Sequence, residues 1–342
     1  YDWVVQLDAD GQHDPREIED LLARARERGI VRVSISHPLE RILAIEADLR
    51  RRLPIASIRV AEVPDSDTMG AIGRAAAELL ADTLLDGQVL AVGNGRSIAA
   101  VARHLQPLTR VNCTVVQLLG SIPGGLPEWG RDAPTVCSRI AERLGAKMSR
   151  MSMPLIVDNP ALLPSLMREE KVATTLALGA RADMAMVGIA GIEARGPGNI
   201  LAEYLTPDVV QAIQRGSAVG HILDHHYDMK GDHVVTPLSR RTLALPLEDL
   251  KRIPTVVGVA AGAEKADAII GAVRGRIISS LVTDYETAAR SAGPASGSSP
   301  WPEPVPDQRS GRVSAGAEAM PAKMRRPTTE PPSSTPILRS AE

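Results

Sequence analysis

The loop Gly93-Asn94-Gly95-Arg96-Ser97 stands between an apolar run ending at Val92 and a segment of helical spacing that starts near Ile98. Glycines let a backbone approach a ligand, a helix N-terminus offers free N–H groups, and Arg96 and Ser97 add a charge and a hydroxyl, so these residues suit a phosphate. The loop is not a Walker A sequence, because no Gly-Lys-Ser/Thr follows the first glycine at the required distance. Nor is it a good dinucleotide fingerprint, since Ile98 occupies the place of the third glycine. A tight strand-to-helix turn accounts for the same residues. A second junction of this kind runs from Val259 through Ala260-Ala261-Gly262-Ala263-Glu264 to Lys265. A lysine in a first helical turn opposes the helix dipole, which points to an anionic partner or to a solvated surface lysine. Thr283-Asp284 ends the next apolar run, and either residue can serve as an N-cap.

The densest group of metal-ligand types is His221, Asp224, His225, His226, Asp228, Asp232 and His233. His221 and His225 would share a face only on a helix, whereas Gly216, Gly220 and Gly231 with Val219, Ile222 and Val234 read as extended chain and turns. The stretch is therefore expected to be a solvated hairpin, with no metal bound. No Gly-x-Ser-x-Gly elbow, no His-Glu-x-x-His and no catalytic carboxylate pair at a known spacing occurs. These absences favour a binding protein over an enzyme, and no cofactor is expected.

Positioning these loops requires strands that end at them. Apolar and β-branched runs at Ser57 to Ala61, Gln88 to Val92, Cys113 to Leu118, Met184 to Ile189, Pro254 to Val259 and Ile277 to Val282 alternate with helical patterns. The clearest helices are Met69 to Leu85, Pro134 to Leu144 and Ala263 to Val273. The pattern predicts a doubly wound, Rossmann-like α/β domain over residues 55–290, with ligands beyond the carboxyl ends of its strands. Asp14-Pro15 opens a helix ending at Gly29, a strand Ile30 to Ile35 follows, and Leu39, Ile42, Leu43 and Ile45 form one face of a second helix. Residues 21–54 thus fit the last helix and wing of a winged helix-turn-helix with a linker helix. Residues 291–342 hold ten of the 26 prolines, with nine serines and four glycines, and are expected to be a disordered tail.

Composition limits the partners. The 39 Lys and Arg against 41 Asp and Glu leave a formal net charge of −2, so no global basic field draws the chain to DNA or acidic membranes. Three Trp, four Tyr and no Phe argue against a base-stacking platform. Cys113 and Cys137 have no paired spacing, which fits a reducing compartment and makes the cytoplasm the expected location. No apolar run of membrane-spanning length occurs, and Tyr1-Asp2-Trp3 does not resemble a signal peptide.

Taken together, Leu21-Leu22-Ala23-Arg24-Ala25-Arg26-Glu27-Arg28-Gly29-Ile30-Val31, Val92 to Ser97, Gln117-Leu118-Leu119-Gly120, Pro154-Leu155-Ile156-Val157-Asp158, Val187-Gly188-Ile189, Gly216-Ser217-Ala218-Val219-Gly220, and the run from Leu247 through Gly262 and Lys265 to Thr283-Asp284 resemble the SorC family of bacterial sugar-responsive transcriptional regulators. The resemblance covers about residues 21–289. It implies a winged helix-turn-helix, here a remnant, followed by an effector domain of the glucosamine-6-phosphate deaminase and ribose-5-phosphate isomerase fold. The implied effector is a phosphorylated sugar or polyol. By the same resemblance Gly93, Asn94, Gly95, Arg96, Ser97 and Lys265 hold the phosphate, while Gly120, Asp158 and Asp284 face the sugar. Ser121 and Ala261 depart from glycines common in the family, and His221 stands where the family usually has Asp. The alternatives kept open are an isomerase or deaminase of the same fold and a glycosyltransferase fusion.

The front end is different. Tyr1 to Pro15 resembles family 2 glycosyltransferases of the dolichol-phosphate-mannose-synthase type, in which Asp8 and Asp10 would bind the metal of a nucleotide-sugar. That likeness stops after residue 20, so a chimeric reading frame is expected. Residues 1–22 hold seven acidic residues and only Arg16 as a base. Arg24, Arg26, Arg28 and Arg32 remain as DNA contacts, and operator binding is expected to be weak. The family resemblance and the apolar linker-helix face also imply a homo-oligomer. Which sugar phosphate binds, and whether regulation is repression or activation, is not legible in the residues.

Overall fold

The computed structural model describes residues 38–63, 67–122, 130–192 and 204–293. Seven strands form one sheet in the order β1-β10-β9-β5-β2-β3-β4. They are β1 (Ser57–Ala61), β2 (Val89–Val92), β3 (Thr114–Gln117), β4 (Lys147–Ser149), β5 (Met184–Gly188), β9 (Thr255–Val259) and β10 (Ser280–Asp284). Every pairing between them is parallel. Beside this sheet, β6 (Ala190–Gly191), β7 (Ala218–Ile222) and β8 (His225–Asp228) form a three-stranded antiparallel sheet. The doubly wound α/β class expected from the alternating runs is the architecture observed.

Both faces of the large sheet are covered, which is why its strands read as continuous apolar runs. Successive side chains point to opposite faces. Leu90, Val92, Met184, Met186, Val257, Val259 and Val282 belong to one buried cluster with Ile72 and Leu80 of α2 (Thr68–Thr83), Ile98 and Val101 of α3 (Arg96–His104), and Ile140 and Leu144 of α4 (Ala133–Leu144). The intervening Ala91, Ala185, Val187, Val256 and Leu281 belong to the other. That second cluster includes Leu49 of α1 (Pro38–Arg52), Leu176 of α5 (Glu170–Gly179), Ile213 of α6 (Pro207–Arg215), Ile269 of α7 (Ala266–Arg274) and Ala288 of α8 (Tyr285–Ala292).

Three boundaries differ from the sequence reading. The last strand begins at Ser280 rather than Ile277, because Arg276 turns at φ 55 and Ile277 and Ile278 are buried in the connection itself. Continuous burial, not extended pairing, explains their apolar character. At the other end, α8 runs to Ala292, and the Ser291 hydroxyl donates to Thr287 O at 2.8 Å. Ordered structure therefore continues two residues into the stretch read as tail. The linker helix also belongs to the domain core: Leu49 is fully buried, Glu46 Oε1 accepts from Val60 N–H at 2.8 Å, and Arg52 Nη1 donates to Ala292 O at 2.8 Å.

Cys113 and Cys137 are both free and buried. None of the described helices is long and apolar enough to cross a membrane. The expectations for residues 1–37, including Asp8, Asp10, the wing strand and Arg24, Arg26, Arg28 and Arg32, lie outside the described residues, as does residues 294–342 of the tail.

Candidate anion site at the carboxyl ends of the strands

From β2 the chain runs outward to β3 and β4, and from β5 it runs the opposite way to β9 and β10. The connections leaving β2 and β5 therefore diverge, which makes the carboxyl ends of these strands the switch point at which sheets of this class bind ligands. Gly93 N–H donates to Met186 O at 2.9 Å and ties the first connection to β5. Gly95 then turns at φ 97, a conformation that favours glycine, and its N–H donates to Arg131 O at 2.9 Å. No side chain caps α3. Its first N–H groups, on Arg96, Ser97 and Ile98, have no intrahelical acceptor. Ser97 is buried beside them, Arg96 is exposed, and Asn94 Nδ2 is buried with no hydrogen-bond partner among the described residues.

The second junction converges on the first. After β9, Gly262 turns at φ 112 and a single 3-10 turn, Ala263–Lys265, leads into α7. Lys265 is 8% exposed; its backbone N–H donates to Gly262 O at 2.9 Å, and its ammonium has no ion-pair partner among the described residues. Burial lowers its pKa, the neighbouring Arg96 guanidinium lowers it further, and Glu264 and Asp284 act in the other direction. Two cations from separate elements are thus close enough to repel each other. A dianion between them reverses that repulsion and receives the free N–H groups of α3.

Comparison with known proteins identifies the chain's family. Residues 37–290 match the family model Sugar-bind, a sugar-binding domain. The chain belongs to the SorC family of sugar-binding transcriptional regulators. It is 32% identical over 276 residues to the transcriptional regulator LsrR of Enterobacter sp. (strain 638), covering 80% of this chain and 82% of the relative. It is 30% identical over 276 residues to the sorbitol operon regulator of Klebsiella pneumoniae, covering 79% of this chain and 87% of the relative. The crystal structure of the full-length sorbitol operon regulator SorC from Klebsiella pneumoniae superposes with a TM-score of 0.69 at 28% identity, over 80% of this chain and 88% of that one. These relatives are transcriptional regulators and not enzymes, which agrees with the lack of catalytic motifs.

In this SorC-family chain the remaining expected site residues have different settings. Asp284 is 5% exposed and caps α8: its carboxylate accepts from Thr287 N–H at 3.0 Å, from the Thr287 hydroxyl, and from Gly262 N–H at 3.2 Å. It holds the Gly262 turn in place. Gly120 is buried where the chain crosses close to the next connection, so that a methyl there would lie 2.5 Å from the Pro154 carbonyl carbon. Its N–H donates to Leu243 O at 2.9 Å. Asp158 is not brought into this cluster. Its side chain is fully exposed and pairs with Arg241 at 3.0 Å. Asp284 also lines a cavity of about 460 Å³ together with Arg41, Glu62, Thr68 and Tyr285, whose described lining includes neither Arg96 nor Lys265.

The hairpin expected to be solvated is buried. Asp224, His225 and His226 are 4%, 7% and 2% exposed, because β7 and β8 pack their side chains against α7 and the strand connections. Among the described residues no three His, Cys, Asp or Glu side chains are grouped to hold a metal ion. The hairpin's two-residue turn, Leu223-Asp224, has positive φ at both positions (50 and 61), as a type I′ turn requires. Leucine in that conformation is strained. It is held by burial, with Leu223 Cδ2 3.2 Å from where a Gly93 Cβ would stand. The turn therefore walls the phosphate-suited loop.

Two more residues at strand ends face inward here: Gln117, and Thr283, which had been a candidate N-cap although Asp284 takes that place. Gln117, at the end of β3, is fully buried: Nε2 donates to Leu119 O at 2.6 Å, while Oε1 has no partner among the described residues. Thr283 Oγ1, at the end of β10, is in the same condition. A polar residue closing an apolar strand was the available signal for both.

Proposed function

We propose that this chain is the effector-binding part of a cytoplasmic, sugar-responsive transcriptional regulator, and that its effector is a phosphorylated sugar or polyol. The observation carrying the reading is that buried Lys265, after β9, lies within electrostatic reach of Arg96 at the uncapped N-terminus of α3, so that two cations and a row of N–H groups are supplied by two strand ends. In this assignment the Gly93–Ser97 loop and Lys265 take the phosphate, Asp284 positions the Gly262 turn, and Gly120 shapes the connection beside the sugar. Asp158 is assigned to the outer rim through its pair with Arg241. The likeness to the sorbitol operon regulator supports control of carbohydrate genes, with operator DNA as the second partner.

Calorimetric titration with sorbitol 6-phosphate, fructose 6-phosphate, ribose 5-phosphate and unphosphorylated sorbitol tests the assignment. Saturable binding of at least one phosphorylated member, and weak or no binding of sorbitol, is the expected result. Binding of none overturns it, and turnover of any member favours an isomerase or deaminase.

The regulator is also proposed to self-associate. Leu39 and Leu43, one turn apart on α1, are each 53% exposed, whereas Ile42 is packed into the core and Ile45 is partly buried against it. The face left for a second copy is thus narrower than the four apolar positions indicated. Light scattering at micromolar concentration is expected to report at least a dimer, and a strictly monomeric mass would exclude this association.

A further inference from the structure

The β7–β8 hairpin carries titratable groups that phosphate binding alone does not use. His221 Nδ1 lies 3.5 Å from Asp224 Oδ1, and the His221 ring is 5.3 Å, centroid to centroid, from the His226 ring. His221 pairs in register with Ala190, and the adjacent Gly191 is next to the Lys265 side chain, its would-be Cβ 3.9 Å from Lys265 Cγ. On its other side the turn bearing Asp224 rests on Gly93. Asp224 Oδ2 and His226 Nδ1 are sealed from solvent with no hydrogen-bond partner among the described residues. A carboxylate and an imidazole thus share a buried wall that touches both halves of the anion site.

We propose that the His221–Asp224 pair makes effector binding proton-linked: seating a phosphate dianion between Lys265 and the Gly93–Ser97 loop draws one proton from solvent onto the pair. The inference rests on the effector assignment above. The charged and titratable groups acting on the pair are His226 and His225 of β8, with His233 beyond them, and Lys265, which in turn feels Arg96, Glu264 and Asp284. In the empty site burial raises the Asp224 carboxyl to about 7. Burial, followed by His226, Lys265 and His225, lowers His221 to about 3. A bound dianion offsets the cations and adds negative potential, so both groups hold protons more tightly. The pair then carries one more proton above neutral pH than it does in the empty site, and its net charge is one unit less negative beside the phosphate.

The linkage predicts affinity falling up to ~10-fold per pH unit above about pH 7, until the bound pair itself ionises. Calorimetry with sorbitol 6-phosphate and the other panel members at pH 8, in buffers of different ionisation enthalpy, reads the proton count directly. The ligand is already a dianion at that pH, since a phosphate monoester has its second pKa near ~6. Uptake of roughly one proton per site at pH 8, falling towards zero near pH 6, is expected. Asp224→Asn, isosteric and tolerant of positive φ, should still bind but take up none, and His221→Asn should reduce the uptake. Binding without proton uptake at pH 8, or uptake unchanged in Asp224→Asn, overturns the linkage and leaves the effector assignment standing. Absence of binding by every panel member overturns both.

Discussion

Replacing Lys265 with alanine is expected to weaken effector binding by roughly 10- to 150-fold, about 1.5–3 kcal/mol for one charge-assisted bond to a dianion. Stability should respond in the opposite sense. Lys265 is 8% exposed, has no ion-pair partner among the described residues, and is opposed by Arg96. An ammonium buried in that setting carries a desolvation cost that nothing in the empty site fully offsets. The alanine variant should therefore melt at the same temperature as the parent or above it, while titrating weakly in the calorimeter. Unchanged affinity would remove Lys265 from the site. Loss of affinity together with a large fall in melting temperature would make the residue structural. Arg96, exposed at the other junction, should show a smaller effect under the same substitution, because solvent already screens its charge.

Acidification from pH 7 to pH 4.5 is expected to remove on the order of 5 kcal/mol of stability, comparable with the whole stability of an ordinary domain. Burial lowers His221 to about 3 and His225 and His226 to about 4, each below the ordinary imidazole value. Between about pH 6.5 and pH 4 the unfolded chain binds protons at these positions and the folded chain does not, so stability falls as pH falls through that window. Asp224 works against this. Its carboxyl is raised to about 7, so the folded state gains a proton before the unfolded state does, and stability rises over the same descent by about as much as one histidine removes. Two of the three imidazole contributions remain uncompensated. Urea denaturation at pH 7 and pH 4.5 measures the difference, and a change smaller than about 1 kcal/mol would contradict the burial of this cluster. His226→Gln should flatten the profile, because it removes a buried titrating ring and keeps a polar side chain of similar reach.

Much of the architecture was legible from local pattern. The strands of a sheet covered on both faces must be apolar throughout, so Ser57–Ala61, Val89–Val92, Met184–Gly188 and Thr255–Val259 are visible as runs, with glycines marking where the chain leaves the sheet. The Gly93–Ser97 loop and Lys265 were singled out for a reason that also holds in three dimensions. Each follows a strand and opens a helix, and such a position carries backbone N–H groups whatever surrounds it.

Tertiary structure decided the rest. No spacing in the chain indicates that Lys265 feels the charge of Arg96, 169 positions away in sequence, because that proximity depends on which strands neighbour one another across the switch point. Asp284 was expected to face the sugar; in the structure its oxygens accept from Gly262 and Thr287, and from sequence a cap and a ligand contact are indistinguishable for an Asp before a helix. The histidine-rich hairpin shows the widest gap between residue type and setting. Polar residues at alternating positions read as a solvated ribbon, but β7 and β8 are folded over α7 and the strand connections, so His225, His226 and Asp224 lose water. Residue type dictates what a side chain can bind, whereas its protonation depends on the dielectric and charges around it, and only the packing of distant segments supplies those.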